Sequence, residues 1–361
     1  MKVKRRKVNV CSEEEPKAPT TAAGLAKLLR EAPECAGAGL RNRDDCTEVA
    51  VIPTGIATLD GIIANGRKGK GGVPLARFVV YSGELSAGKT TAALVTASAF
   101  QRAGGIVLYI DTERKLDWDW AKRCGVDIDS VIPSYPKTLE DAFEVSEKAT
   151  REKDPKVPLL IVLDSLNAGT TKEERDAPYG ARLYAPQQRV LSQAMARMCD
   201  YVEASNTTFL MISQLRSKMD ASVTIAGGNS VRFYSILIVT FDGVTKVAEG
   251  GKSVSQLYRE AKQAGKRISV NVVGTESRIS TIKNQVGGPF AESRIRINFR
   301  DGVDFNWCLH HEGVERGVIE QSGSWFGWGG RKWQGEAAFG RYVAKRPKFL
   351  ARLRKAIARC G

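Results

Sequence analysis

The stretch Gly83-Glu84-Leu85-Ser86-Ala87-Gly88-Lys89-Thr90 stands between an apolar run, residues 77–82, and a helical pattern from Lys89 to Arg102. Its spacing is G-x-x-x-x-G-K-[ST], the form taken by a loop that wraps backbone N–H groups around phosphates. The helix that follows points its positive dipole end at the same spot. Lys89 is placed to reach β- and γ-phosphates, and the Thr90 hydroxyl to ligate Mg²⁺. Gly83, Glu84, Leu85, Ser86, Ala87, Gly88, Lys89, Thr90 and Thr91 are therefore the expected nucleotide cradle. The bland alternative, a glycine turn before a helix, does not account for strand, loop and helix in this order.

Outward from the cradle, short apolar runs alternate with helical stretches. Runs at 105–110, 159–163 and 208–212 are nearly continuous in apolar residues, as strands buried on both faces are. Between them lie helical candidates at 139–151 and 187–203. This alternation predicts βαβ units and a mostly parallel twisted sheet, an α/β fold. Val231 to Phe241 and Arg267 to Val273 read as further strands. The run Leu159 to Leu163 ends in Asp164, a carboxylate at the C-terminal end of a strand, where open α/β sheets bind ligands. Asp164 is thus expected to help hold the magnesium, with Thr90. Glu113 follows another such strand and can orient or deprotonate an attacking water; Asp111 competes for that role or caps the loop.

The chain of 361 residues carries 55 Lys plus Arg against 40 Asp plus Glu, a net charge of +15, which favours polyanionic partners. Hydrophobic content of 42% is enough for a packed core and excludes disorder as the default. The longest aliphatic run falls far below the roughly 20 residues of a membrane span, so no membrane partner is expected. Seven scattered cysteines, none spaced C-x-x-C, fit a reducing cytoplasm better than a disulfide framework. Composition shifts divide the chain into an N-terminal arm (1–50), a nucleotide-binding core (51–307) and a basic C-terminal domain (308–361). The last includes a Gly/Trp-rich stretch and a helical pattern at 348–359.

Several ordered motifs sit downstream of the cradle: Ile110-Asp-Thr-Glu113, Gln193-Ala-Met195, Ser213-Gln-Leu-Arg216, Gly227-Gly-Asn-Ser-Val-Arg232-Phe-Tyr234, Lys283-Asn284 and Gly323-Ser-Trp325. Together they closely resemble the bacterial RecA recombinase family, from about Pro53 onward. The resemblance implies a RecA-like P-loop ATPase core with an N-terminal polymerisation arm and a small α+β C-terminal domain. It implies Glu113 as the base, Gln214 as a sensor of the γ-phosphate, Asp117 and Trp120 flanking the adenine, and Phe299 near the base. Residues 176–185 and 215–226 correspond to two DNA loops, and Arg189, Ser192, Arg216, Gly227, Gly228, Asn229 and Arg232 to contacts with the DNA backbone. Lys283 corresponds to a cation reaching the nucleotide of a neighbouring subunit.

Departures are equally plain. Glu84 shifts a carboxylate within the cradle, Gln285 stands where the family has a second trans lysine, and the second loop is short. The chain closes on basic residues where the family has an acidic tail, so weaker restraint of duplex uptake is expected. These differences suggest a divergent or phage-borne member. The implied function is an ATP- and Mg²⁺-dependent recombinase that forms a homo-oligomeric helical filament on single-stranded DNA and pairs it with homologous double-stranded DNA. The competing expectations are a ring helicase or branch-migration ATPase on the same core, and a mediator in which ATP only stabilises structure.

Overall fold

The computed structural model describes residues 21–22, 27, 49–67, 71–217, 223–225, 228–264 and 266–360. The chain divides into two units, Met1–Glu48 and Val49–Gly361, and the elements below belong to the second. Most of the N-terminal arm, Gly227 and part of the second DNA loop lie outside the described residues.

Strands β1 (Val51–Ile52) and β2 (Val73–Pro74) pair around helix α1 (Ala57–Ala64). The alternation expected from the sequence follows: β3 (Phe78–Gly83), α2 (Lys89–Arg102), β4 (Ile106–Asp111), α3 (Trp118–Arg123), β5 (Val131–Ser134), α4 (Leu139–Glu152) and β6 (Leu159–Asp164). Next come α5 (Lys172–Asp176), α6 (Pro186–Ala204), β7 (Thr207–Ser217), β8 (Val223–Ile225), α7 (Gly228–Tyr234) and β9 (Leu237–Ala248). Then α8 (Val254–Gln263) leads to β10 (Val272–Asn284), β11 (Glu292–Asn298) and β12 (Gly302–Val303). The order across the large sheet is β12-β11-β10-β9-β3-β7-β6-β4-β5, with β8 pairing β7. Strands from β9 through β5 run parallel, and β10, β11 and β12 add antiparallel to one edge. The chain is an α/β protein with a mostly parallel central sheet.

Period-2 alternation splits each central strand between two cores. Val79, Tyr81, Val107, Tyr109, Leu160 and Val162 join one cluster with helix α2. Phe78, Val80, Leu108, Ile110, Ile161 and Leu163 join the other with Phe143 of α4 and Leu191, Met195 and Met198 of α6.

Two strand expectations need correction. Val231–Phe241 is not one strand: its first residues form α7, and β9 begins only at Leu237. The apolar run straddles a helix end because Val231 packs into the second cluster from a helix while Ile238 does so from a strand. Likewise Arg267–Asn271 belongs to no strand, and β10 starts at Val272.

Helix α9 (Phe305–Glu315) runs through the boundary expected at 307/308. Trp307 and Cys308 join the core with α2, whereas Leu309 joins a third cluster. That cluster also holds Trp333 of a three-stranded sheet, β13 (Glu320–Ser322), β14 (Trp325–Trp328) and β15 (Arg331–Gln334), beside α10 (Glu336–Ala344) and α11 (Pro347–Arg359). Arg316 links three helices: it donates to Glu312 Oε1 of α9 at 2.5 Å, to the Gly61 carbonyl of α1 at 3.1 Å and to the Ile357 carbonyl of α11 at 3.5 Å. Gly61 leaves room for this junction, since a Cβ there would lie 1.9 Å from Glu312 Oε1.

Phe209 of β7 is fully buried and lies against Phe78 and Phe143, with ring centroids 5.8 and 5.6 Å away. Phe209→Ala should destabilise the fold by about 3–5 kcal/mol, since a large ring leaves a cavity that a rigid sheet cannot close. Ile132→Ala, on exposed edge strand β5, should stay within about 0.5 kcal/mol; equilibrium chemical denaturation of both variants checks the contrast.

Candidate functional site

The parallel register lines up the strand ends that carry the site. Gly83 is the partner of Gln214, and Asp111 the partner of Asp164. Past these ends opens a cavity of about 300 Å³, lined among others by Lys89, Thr90, Glu113, Asp117, Trp120 and Asp164. Leu85, Ser86 and Gln214 line it too.

The cradle turns on its glycines. Gly88 has φ +95°, a backbone conformation that favours glycine, and a Cβ there would also have to displace the Ile297 Cδ1 methyl, 2.1 Å away. Lys89, first residue of α2, folds back so that Nζ donates to the carbonyls of Gly83 at 3.0 Å and Glu84 at 2.5 Å. Burial lowers the Lys89 pKa, and Asp164, Glu84 and Glu113 act against it. Ala87 is buried beneath the loop. Thr91 accepts a 3.2 Å hydrogen bond from the Trp120 indole N–H.

Asp164 is the centre of the acidic side. Its Oδ2 accepts from Thr90 Oγ1 at 3.0 Å and from the Tyr109 hydroxyl at 2.8 Å. Burial raises its pKa despite those two bonds, and Glu113 and Asp111 add repulsion. A half-buried hydroxyl–carboxylate pair beside Lys89 offers hard oxygen ligands, the chemistry that suits Mg²⁺. Among the described residues no group of three or more His, Cys, Asp or Glu gathers to hold a metal. An ion here would therefore complete its shell with phosphate oxygens and water, as Mg²⁺ does.

Asp111 spends both oxygens on its own loop, accepting from the backbone N–H of Glu113 at 3.1 Å and of Leu116 at 2.9 Å. Glu113 faces the cavity instead. Ser165 Oγ donates to its Oε1 at 2.8 Å, and Lys115 Nζ to its Oε2 at 2.9 Å. The Lys115 bond is the main reason that the Glu113 pKa is lowered. Gln214 is fixed through its backbone, whose N–H donates to Asn167 Oδ1 at 2.7 Å. Asp117 caps α3 by accepting from Trp120 N at 3.1 Å, and the Arg123 guanidinium covers the Trp120 ring 5.1 Å from its centroid.

Two expected residues stand apart from this cavity. Phe299 is half exposed and lines a different cavity of about 610 Å³, with Gly250, Asn271 and Arg300. Lys283 Nζ donates to the carbonyls of Arg232 and Phe233 at 3.0 and 2.9 Å, capping the C-terminal end of α7.

The expected DNA residues gather where α6 packs on α7. Ser192, Asn229 and Arg232 are exposed there, and Arg189 forms an ion pair with Glu173. Gly228, at φ +69°, starts α7 against Gln188 of α6. Arg216 lies on β7 and Gly227 outside the described residues. Sequence reasoning passed over Tyr109, Ser165, Lys115 and Asn167 near the nucleotide cavity. It also passed over Tyr179 and Tyr184, both almost wholly exposed on the first loop. Two tyrosines in a polar loop are a usable signal for stacking on bases.

The model of the RecA N-terminal domain family matches residues 37–304, roughly three quarters of the chain.

Because burial raises the folded pKa of Asp164, the stability linked to that group is greatest below the ordinary aspartate range and is lost as pH rises through the raised value. Asp164→Asn should therefore melt at or above the wild-type temperature at neutral pH without ligand, yet lose the thermal shift given by Mg²⁺ and ATP. Lys115→Ala should move the Glu113 carboxyl to a higher pKa, read by carboxyl carbon NMR across a pH titration.

Proposed function

The chain belongs to the RecA family, and on that premise we propose that it is an ATP-dependent homologous recombinase, assembling as a helical filament on single-stranded DNA and exchanging it with a homologous duplex. The observation that carries the reading is the Thr90–Asp164–Tyr109 cluster, set at the mouth of the phosphate cradle beside Glu113, which lines the same cavity. A purely structural P-loop would not need a carboxylate held against a threonine hydroxyl at this spot, where hard oxygen ligands suit a cation.

In this reading the Lys89 ammonium leaves the Gly83 and Glu84 carbonyls for the β- and γ-phosphate oxygens. Bound Mg²⁺, held by Thr90 and Asp164, supplies charge neutralisation. Glu113 aligns a water and takes its proton as the water oxygen bonds to the γ-phosphorus and the bond to the β-phosphate oxygen breaks. Ser165 and Lys115 hold the Glu113 carboxylate ready for that proton. Trp120 and Asp117 border the same cavity on the side where a base would stack.

Gln214 supports a coupling role by its position. It touches the nucleotide cavity, and its strand runs on to Ser217 and into the second DNA loop. An amide there can bond either phosphate or loop backbone, so nucleotide state can bias loop conformation. Lys283 would act on the nucleotide of an adjacent copy, which agrees with its lying outside the cavity of its own chain. DNA contacts from Arg189, Ser192, Asn229 and Arg232 would position the backbone, leaving sequence matching to base pairing.

ATP hydrolysis should rise sharply on adding poly(dT), and Glu113→Gln should lower the stimulated rate by about 10²–10⁴-fold, the usual range for a general base. Phosphate release assays with and without the polymer check this. Hydrolysis indifferent to single strands would overturn the reading.

A further inference from the structure

Helix α8 takes no part in the nucleotide site or in the α6–α7 surface, yet it carries a dense run of cations. It follows β9 through a tight turn in which Gly250 and Gly251 both have φ +85°. Ser253 caps it by accepting from Gln256 N at 3.2 Å. Val254, Leu257 and Ala261 repeat at helical spacing and pack toward β9, with Ala261 buried. The outward side keeps Tyr258, Arg259 and Lys262 exposed, and Lys266 and Arg267 continue it past the helix end.

Segment 246–267 holds six Lys or Arg and two Asp or Glu. One of those acids, Glu260, is taken by Lys252 at 3.0 Å and by Gln256 at 2.8 Å. Among the described residues Arg259, Lys262, Lys266 and Arg267 form no ion pair. Four cations within nine residues thus face solvent without compensation. None of the four has an acid three or four residues away to pair with along a helix face.

We propose that this face of α8 and the segment after it grip the phosphate backbone of double-stranded DNA, as a site separate from the loop surface on α6 and α7. Three features favour duplex over other polyanions. The surface is a convex helix with one exposed aromatic, whereas single strands are held in grooves with successive stacking platforms. A duplex offers one charge per about 1.7 Å of axis, dense enough for point charges alone to bind. A protein partner would need a cluster of apolar anchors, and this face offers only Tyr258, with Ile268 exposed at its far end. Placement agrees: β9 runs parallel to β3 with Phe241 beside Gly83 and continues to Ala248, so α8 projects beyond the sheet end that carries the phosphate loop.

The test uses the full chain with Arg259→Glu, Lys262→Glu and Lys266→Glu combined. Labelled duplex and single-stranded oligonucleotides of equal length are titrated by fluorescence anisotropy over a salt series, without nucleotide. Duplex affinity should fall at least about tenfold at low salt, and the slope of log K against log salt should flatten by about 2 to 3, close to 0.9 per phosphate contact removed. Melting temperature and single-strand-stimulated ATP hydrolysis should stay at wild-type levels. If charge reversal impairs folding, the three glutamine substitutions carry the same comparison with a smaller drop. Unchanged duplex affinity and slope, equal loss for both DNAs, or lost self-association with intact DNA binding would each overturn the proposal. Should wild-type hydrolysis ignore single strands, the recombinase reading fails while the duplex titration still decides the role of α8.

Discussion

Register between parallel strands is the constraint on which the site depends. Gly83 lies beside Gln214 and Asp111 beside Asp164, so loop, carboxylates and amide emerge together at the C-terminal ends of the parallel strands. Side chains alternate with period two, and a slip of one residue would send Asp164 to the opposite face, away from Thr90. Tyr109 shows how tightly this is specified. It pairs in register with Val162 on the same face, and its hydroxyl reaches diagonally to Asp164, two residues on. The apolar halves of these strands, sealed by α2 on one face and by α4 and α6 on the other, hold that register.

Burial and charge oppose each other at the cavity. The same desolvation that raises Asp164 lowers Lys89. Each group is therefore least content when the site holds no ligand, and nearby hydrogen bonds only partly relieve it. Such conflict fits the general pattern in which ligand sites sacrifice local stability. Glu113 is the exception: Lys115 and Ser165 keep it ionised while it waits.

Much of this was legible beforehand because the signals are local. The cradle spacing, the apolar runs ending in Asp164 and Glu113, and the alternation of strand and helix each follow from chemistry within a few residues. What escaped was chemistry made by contact across the chain. Tyr109 reads as a core aromatic until its hydroxyl is seen against Asp164, and Lys115 reads as a solvated charge until it meets Glu113. The run Val231–Phe241 misled because hydrophobicity without period cannot separate a helix end from the strand after it. Helix α8 was passed over since its apolar face is only three residues wide. Phe299 was assigned by likeness alone, and within one chain it lies on another cavity.

The ammonium of Lys89 does not stand idle in the resting loop. With two backbone carbonyls already accepting from it, an incoming group must outcompete neutral oxygens that are covalently tethered nearby. A chain of phosphates offers several anionic oxygens at once for that exchange. Any phosphate that this loop takes up must therefore displace both carbonyls from the ammonium as it arrives.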